Sequence, residues 1–294
     1  MNIFAEYFYL FLFHIFSFIL KFIPNKIIRI FSILLAKIFF IFNKKHKNII
    51  LKNIEYFCKL AKQPQSNQIA KKIYEKFIYY IFLIIKNQKI NEKQLLKQIK
   101  LFKNDEEFKE LLAKKEKIVF TTAHFGNWEL LPPAVGLKYN VELSIVGRAL
   151  KSKKMNEYLV KNRKKFNVGF IDKKNALRKM LKDINNNKLI GIVSDQDASI
   201  KESSEFLLYG NKVTQSNAAS VIAKRVNAYI VPVYIYEFNG GFCIEFLKAI
   251  NAKDYSIEEL SFYQLECTKK MWEKHISEYF WFHKRFKTFY EDLY

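Results

Sequence analysis

From residue 3 to residue 23 the chain reads IFAEYFYLFLFHIFSFILKFI, an apolar run interrupted only by Glu6, His14 and Lys21. A helix needs about 20 apolar residues to cross a bilayer core, and this run has that length. Pro24 ends it, and no small-residue cleavage site comes after it, so a removed signal peptide is not expected. Residues 26–42 form a second apolar stretch. Lys26, Arg29, Ile33 and Lys37 fall on one stripe at helical spacing, and the rest of the wheel is Ile, Leu and Phe. That pattern predicts a helix lying in a membrane interface with its cations toward headgroups. The alternative is a pair of buried core helices. Residues 46–116 read as amphipathic helix, broken by a loop near Gln63–Asn67 that contains Pro64.

From residue 117 the period changes. Short apolar runs at 117–123, 141–146, 168–171, 189–194, 229–236 and 242–246 predict strands. Helical stretches at 152–166, 176–186 and 217–226 separate several of them, and a last helix is expected over roughly 257–280. Strands alternating with helices imply an α/β fold with a mostly parallel central sheet flanked by helices. The expected organisation is therefore N-terminal membrane-anchoring helices over 1–45 and a single α/β domain over 46–294.

Composition sharpens this picture. The 294 residues carry a net charge of +22, and Phe alone occurs 29 times. A basic surface attracts nucleic acid, anionic headgroups or an acidic protein. No zinc finger, RNP-type block or helix-turn-helix signal accompanies the charge, so nucleic acid is not expected as a partner. Lys44, Lys45 and Lys47, just past the apolar block, favour a cytoplasmic position for the remainder of the chain. Cys58, Cys243 and Cys267 stand far apart and suggest no disulfide framework, and no His or Cys spacing suits zinc, so no metal is expected.

The densest local chemistry is TTAHFGNWELL, residues 121–131, which holds His124 and Glu129 in a His-x4-Glu spacing. On one continuous helix such a pair points apart. It can meet if a strand ends near Ala123, Gly126 turns the chain, and a helix starts at Asn127 as N-cap, with Glu129 in its first turn. His124 would then stand at the carboxyl end of a strand, where open α/β sheets bind ligands. A neutral imidazole there takes the proton of an alcohol attacking an acyl carbonyl, and a carboxylate on its other nitrogen fixes the tautomer. The plain alternative is a turn histidine with Glu129 on the surface.

HFGNWELL resembles the His-x4-acid block of the bacterial lipid A late (secondary) acyltransferases, within the wider glycerolipid acyltransferase superfamily. Further blocks come in matching order. They are Arg148 in VGRAL, Arg163 in KNRKKFNVGFI, GIVSDQD at 191–197, the FLLYGNKVTQSNAASVIAKRVNAYIVPV stretch, and the tail HISEYFWFHKRFK at 275–287. The departures are the lack of Pro before Asp195-Gln196-Asp197, Ile276-Ser277 before Glu278, and Lys284 for an arginine.

The resemblance implies transfer of a fatty acyl group from acyl-acyl carrier protein to the hydroxyl of a 3-hydroxyacyl chain on a Kdo-bearing lipid A precursor. It implies lipopolysaccharide biosynthesis at the cytoplasmic side of the inner membrane. His124 and Glu129 would be catalytic, and Arg148, Arg163, Asp195, Gln196 and Asn127 substrate-binding, with no cofactor. A glycerophospholipid acyltransferase of the same superfamily is the alternative. Its typical Pro-Glu-Gly-Thr block is absent here.

Overall fold

The computed structural model describes residues 3–62, 67–174 and 176–294. The expected loop around Pro64 lies outside the described residues. Four long helices come first: α1 (Ile3–Phe22), α2 (Asn25–Phe42), α3 (Lys44–Ala61) and α4 (Asn67–Asn87). Then come α5 (Glu92–Leu96), β1 (Ile99–Lys103), α6 (Glu106–Ala113), β2 (Ile118–Thr122), α7 (Leu131–Tyr139), β3 (Leu143–Gly147), α8 (Lys153–Lys164), β4 (Val168–Asp172), α9 (Ala176–Asn185) and β5 (Leu189–Val193). The chain continues through β6 (Ser203–Leu208), β7 (Asn211–Ser216), α10 (Ala218–Val226), β8 (Tyr229–Phe238), β9 (Gly241–Phe246), β10 (Ile250–Asn251) and α11 (Ile257–His275).

The main sheet runs β1-β9-β8-β2-β5-β3-β4, with β10 antiparallel on β8. Only the β9–β8 step along that path is antiparallel. The fold is thus the expected α/β one, a single domain with a mostly parallel sheet covered by helices. Strands buried on both faces need unbroken apolar runs. Ile118, Val119 and Phe120 on β2 and Ile230, Val231 and Val233 on β8 meet that need. Successive residues face opposite layers: Ile118 and Phe120 pack with α4, α6 and α7, whereas Val119 packs with α9 and α10.

Three departures from the sequence pattern have physical causes. The stretch read as helix up to residue 116 contains β1, which takes the sheet edge beside β9. Between β5 and α10 the chain forms the separate β6–β7 hairpin, turning at Tyr209 and Gly210, both at positive φ. The last helix ends at His275, because the backbone beyond it pairs with the turn around His124.

Helices α1 and α2 expose an apolar slab that includes Phe8, Phe11, Phe18, Phe31 and Phe42. Among the described residues, the one helix long and apolar enough to cross a membrane is Phe4–Phe22. Its inner side is fastened to the domain along its length. Glu6 accepts from the Lys153 and Lys154 N–H groups at the start of α8, at 3.3 and 3.1 Å. His14 packs edge-on against Tyr158, and Ser17 donates to the Ile85 carbonyl at 2.9 Å. On α2 the buried stripe is Ile28, Ser32 and Ala36. Arg29, expected to face headgroups, instead pairs with Glu237 and lies 4.0 Å over the Tyr79 ring.

Candidate active site

The parallel register of β2 and β5 builds the site. Phe120 lies opposite Gly191, and Thr122 opposite Val193. Two further residues along each chain come His124 and Asp195, on the same face by strand alternation. His124 Nδ1 meets Asp195 Oδ1 at 2.9 Å. The pair sits past the carboxyl ends of two central strands, the position where open α/β sheets hold ligands.

Gly126 makes the turn after His124. Its φ is +55°, and its hydrogen faces the carbonyl of Ile235 on β8 so closely that a Cβ would come within 2.1 Å of that oxygen. The tail returns to clamp this turn: the Gly126 N–H donates to the Glu278 carbonyl at 2.8 Å, and the Phe280 N–H to the His124 carbonyl at 2.9 Å. Helix α7 begins at Leu131, later than the expected start at Asn127, with Pro132 and Pro133 in its first turn. Proline suits that position because first-turn N–H groups have no helical partner to lose. Residues 127–130 form a separate turn, closed by the Leu130 N–H on the Asn127 carbonyl at 2.9 Å.

That delayed helix changes the carboxylate on the ring. Glu129, expected to orient His124, instead accepts with both its oxygens from Arg163 Nη2, at 3.1 and 2.8 Å, while Asp195 holds the imidazole. Glu129 still acts on the ring through space. Burial alone would pull the His124 pKa down, but the Asp195 charge and hydrogen bond, with a smaller push from Glu129, hold it above 6.5. Burial would likewise push Asp195 up. The His124 ring outweighs this, helped by His283 and Tyr279, and keeps the carboxyl well below its ordinary range. Among the described residues the His124 ring is hydrogen-bonded through Nδ1, and its Nε2 has no protein partner.

A cavity of about 450 Å³ opens beside it, between the sheet and helices α4, α7 and α8. Ile84, Phe120, Leu131, Val135, Ile145 and Phe166 line its apolar depth; His124, Asn127, Glu129, Arg148 and Arg163 line its polar part. Arg148, at the end of β3, is exposed. The Asn127 side chain is fully buried, and neither of its polar atoms has a partner among the described residues. Of the other sequence candidates, Asp195 lies behind His124 and Gln196 is exposed outside the cavity lining. Thr214 and Gln215 are also outside the lining: Thr214 bonds Asp197, and Gln215 donates to the Ser194 carbonyl, bracing the chain after β5.

Pattern reading missed three parts of the surroundings. Trp128 and Phe280 flank the His124 ring at 5.4 and 5.9 Å. Buried Glu278 accepts from Lys76 at 2.5 Å and from the Tyr80 hydroxyl at 2.5 Å, so α4 anchors the segment that clamps the His124 turn. The acidic residue in the aromatic tail was the only signal in the sequence. Removing one partner of a buried ion pair typically costs about 3–5 kcal/mol, because the other charge stays buried. Lys76→Met is expected to fall in that range, read as a lowered melting temperature in detergent. An unchanged melting curve would show that Glu278 is satisfied without Lys76.

Among curated proteins, none matches the chain. A family model described as bacterial lipid A biosynthesis acyltransferase matches residues 3–288, from the first described helix to the tail that clamps the His124 turn, and the chain belongs to that family.

Proposed function

We propose that this protein transfers a fatty acyl group from an acyl-acyl carrier protein to the hydroxyl of a 3-hydroxyacyl chain on a Kdo-bearing lipid A precursor, with His124 as general base. The observation that carries this is an imidazole paired with a buried carboxylate at the polar end of an apolar cavity. In this reading, Nε2 takes the acceptor hydroxyl's proton as its oxygen attacks the thioester carbonyl. The C–O bond forms, the tetrahedral intermediate collapses with loss of the C–S bond, and the imidazolium returns its proton to the thiolate. Asp195 fixes the tautomer and supports the imidazolium charge.

The Asn127 amide, buried without a partner among the described residues and in the cavity lining with His124, serves in this reading as an oxyanion donor, a role in which one donor contributes about 10²- to 10³-fold. Glu129 holds Arg163 at the cavity wall, and exposed Arg148 is suited to an acceptor phosphate. The +22 charge supports an acidic carrier protein by electrostatic steering. The decisive experiment is mass spectrometry of lipid A from strains with and without the gene. Loss of one secondary acyl chain is expected. An unchanged lipid A spectrum with altered phospholipids would overturn this reading in favour of a glycerophospholipid acceptor.

The same reading places the enzyme on the cytoplasmic face of the inner membrane, with α1 in the plane of the interface. Glu6, His14, Ser17 and Leu20 all engage the domain, which a helix crossing the bilayer away from it would have to give up. Burying one exposed Phe is worth about 1.5–3 kcal/mol, so Phe8→Glu or Phe31→Glu is expected to weaken vesicle partitioning at least tenfold. Sedimentation with liposomes of anionic lipid checks this. Undiminished binding by the Phe8→Glu, Phe31→Glu double variant would rule out that face.

A further inference from the structure

The acyltransferase reading leaves open which chain the cavity accepts, and one residue of its wall stands out. Gly191 occupies the middle of β5, with β2 and β3 hydrogen-bonded on either side, opposite Phe120 and Ile145. Glycine inside a strand costs stability and usually marks a bulge, a positive φ or a close approach of another backbone. None of these applies here. Register with β2 is regular across Gly191, the pairing with β3 is regular up to it, and its φ is not positive. A Cβ built on it would meet only Ile145 Cγ2, at 3.4 Å, an ordinary contact. What the missing side chain leaves is space, and that space is the cavity. Gly191 lines it and is partly accessible despite lying between two central strands.

Its depth is set by the register. Leu189, Gly191 and Val193 share one face of β5, and Asp195 follows two residues past its end. Gly191 therefore lies four residues, about 13 Å at 3.3 Å per residue, below the level of the His124–Asp195 pair. Val193, one layer nearer the pair, also lines the cavity; Leu189, one layer deeper, is buried. Leu143 pairs with Leu189, and Leu143 and Phe166 still belong to the cavity wall, so the space continues beyond Gly191. Any side chain at 191 would project into it between the reacting end and the deep end.

We propose that Gly191 is a chain-length determinant: its lack of a side chain lets the acyl tail pass to the layer walled by Leu143 and Phe166. The proposal rests on the acyltransferase reading above. The test uses the full-length protein in detergent–lipid micelles, with acyl carrier protein loaded with saturated chains from short to long. In Gly191→Val the ratio of kcat/KM for the longest accepted chain to that for a chain several carbons shorter is expected to fall about 10- to 200-fold, the discrimination a methylene-sized misfit gives in an apolar pocket. Gly191→Ala, whose methyl clears Ile145, is expected to shift the same ratio in the same direction by less, and it decides the matter if the valine variant does not fold. An unaltered ratio in a folded variant overturns the proposal, as does equal loss at every length. No transfer by the wild-type protein from any donor would instead remove the acyltransferase reading, and this proposal with it.

Discussion

Asp195→Asn is expected to lower the acyl-transfer rate by about 10⁴-fold in a protein that still folds, the loss seen when the orienting carboxylate of a catalytic histidine becomes an amide. In the proposed mechanism the Asp195 carboxylate, 2.9 Å from Nδ1, accepts from Nδ1–H and leaves Nε2 unprotonated to act as base. An amide at 195 that donates to Nδ1 forces the proton onto Nε2, the nitrogen that must accept one. His124→Ala is expected to cost at least as much, and the double variant little more than either single one, because the two side chains act as a unit. The pH profile gives an independent sign. The base must be neutral, so kcat/KM falls on the acid side through the His124 pKa, which Asp195 and, less, Glu129 hold above 6.5. Loss of the Asp195 charge should move that limb to lower pH. Glu129→Gln should move it the same way by less. A nearly active Asp195→Asn beside a dead Glu129→Gln would reverse the assignment and restore Glu129 as the orienting group.

Gly126→Ala is expected to cost more than about 4 kcal/mol, the range reached only when a named structural defect is forced on a core. Positive φ by itself carries a smaller penalty, about 1–2 kcal/mol for a residue with a Cβ. Here the added methyl also meets the Ile235 carbonyl oxygen at 2.1 Å and its carbon at 2.9 Å, both backbone atoms of β8. That strand is paired to β2 over Tyr229–Pro232 and to β9 over Val233–Phe238, and the β9 ladder at Ile235 opposes its retreat. Gly210→Ala and Gly240→Ala are the controls. Both positions have positive φ, and nothing lies within 4 Å of an added Cβ. They should show the conformational penalty alone. Thermal melts of the three purified variants separate the two contributions; equal shifts would mean that β8 yields after all.

Much of this molecule was legible because its signals are local. The apolar runs of β2, β5 and β8 need no partner to be recognised. Gly126 announced a turn, and α10 and α11 carry their pattern within single segments. The elements that escaped lack such autonomy. Ile99–Lys103 has an intermediate-to-exposed burial pattern, and its strand character comes from pairing with β9 more than a hundred residues later. The end of the last helix was misplaced because Tyr279 and Phe280 give up helical bonds for the turn at 124–126. Arg29 lies on a headgroup-facing stripe in the sequence. The acidic partner that draws it inward sits on β8, out of reach of any local pattern.

The sequence by itself determined the strand–turn motif that presents His124, the apolar N-terminal helices and the resemblance through which the family was expected. The tertiary structure alone decided which carboxylate serves the imidazole. Glu129 is five residues from His124 along the chain and binds Arg163; Asp195 is 71 residues away and binds the ring. Parallel strand pairing brings the second pair together, because register and alternation place the ends of β2 and β5 side by side whatever their separation in sequence.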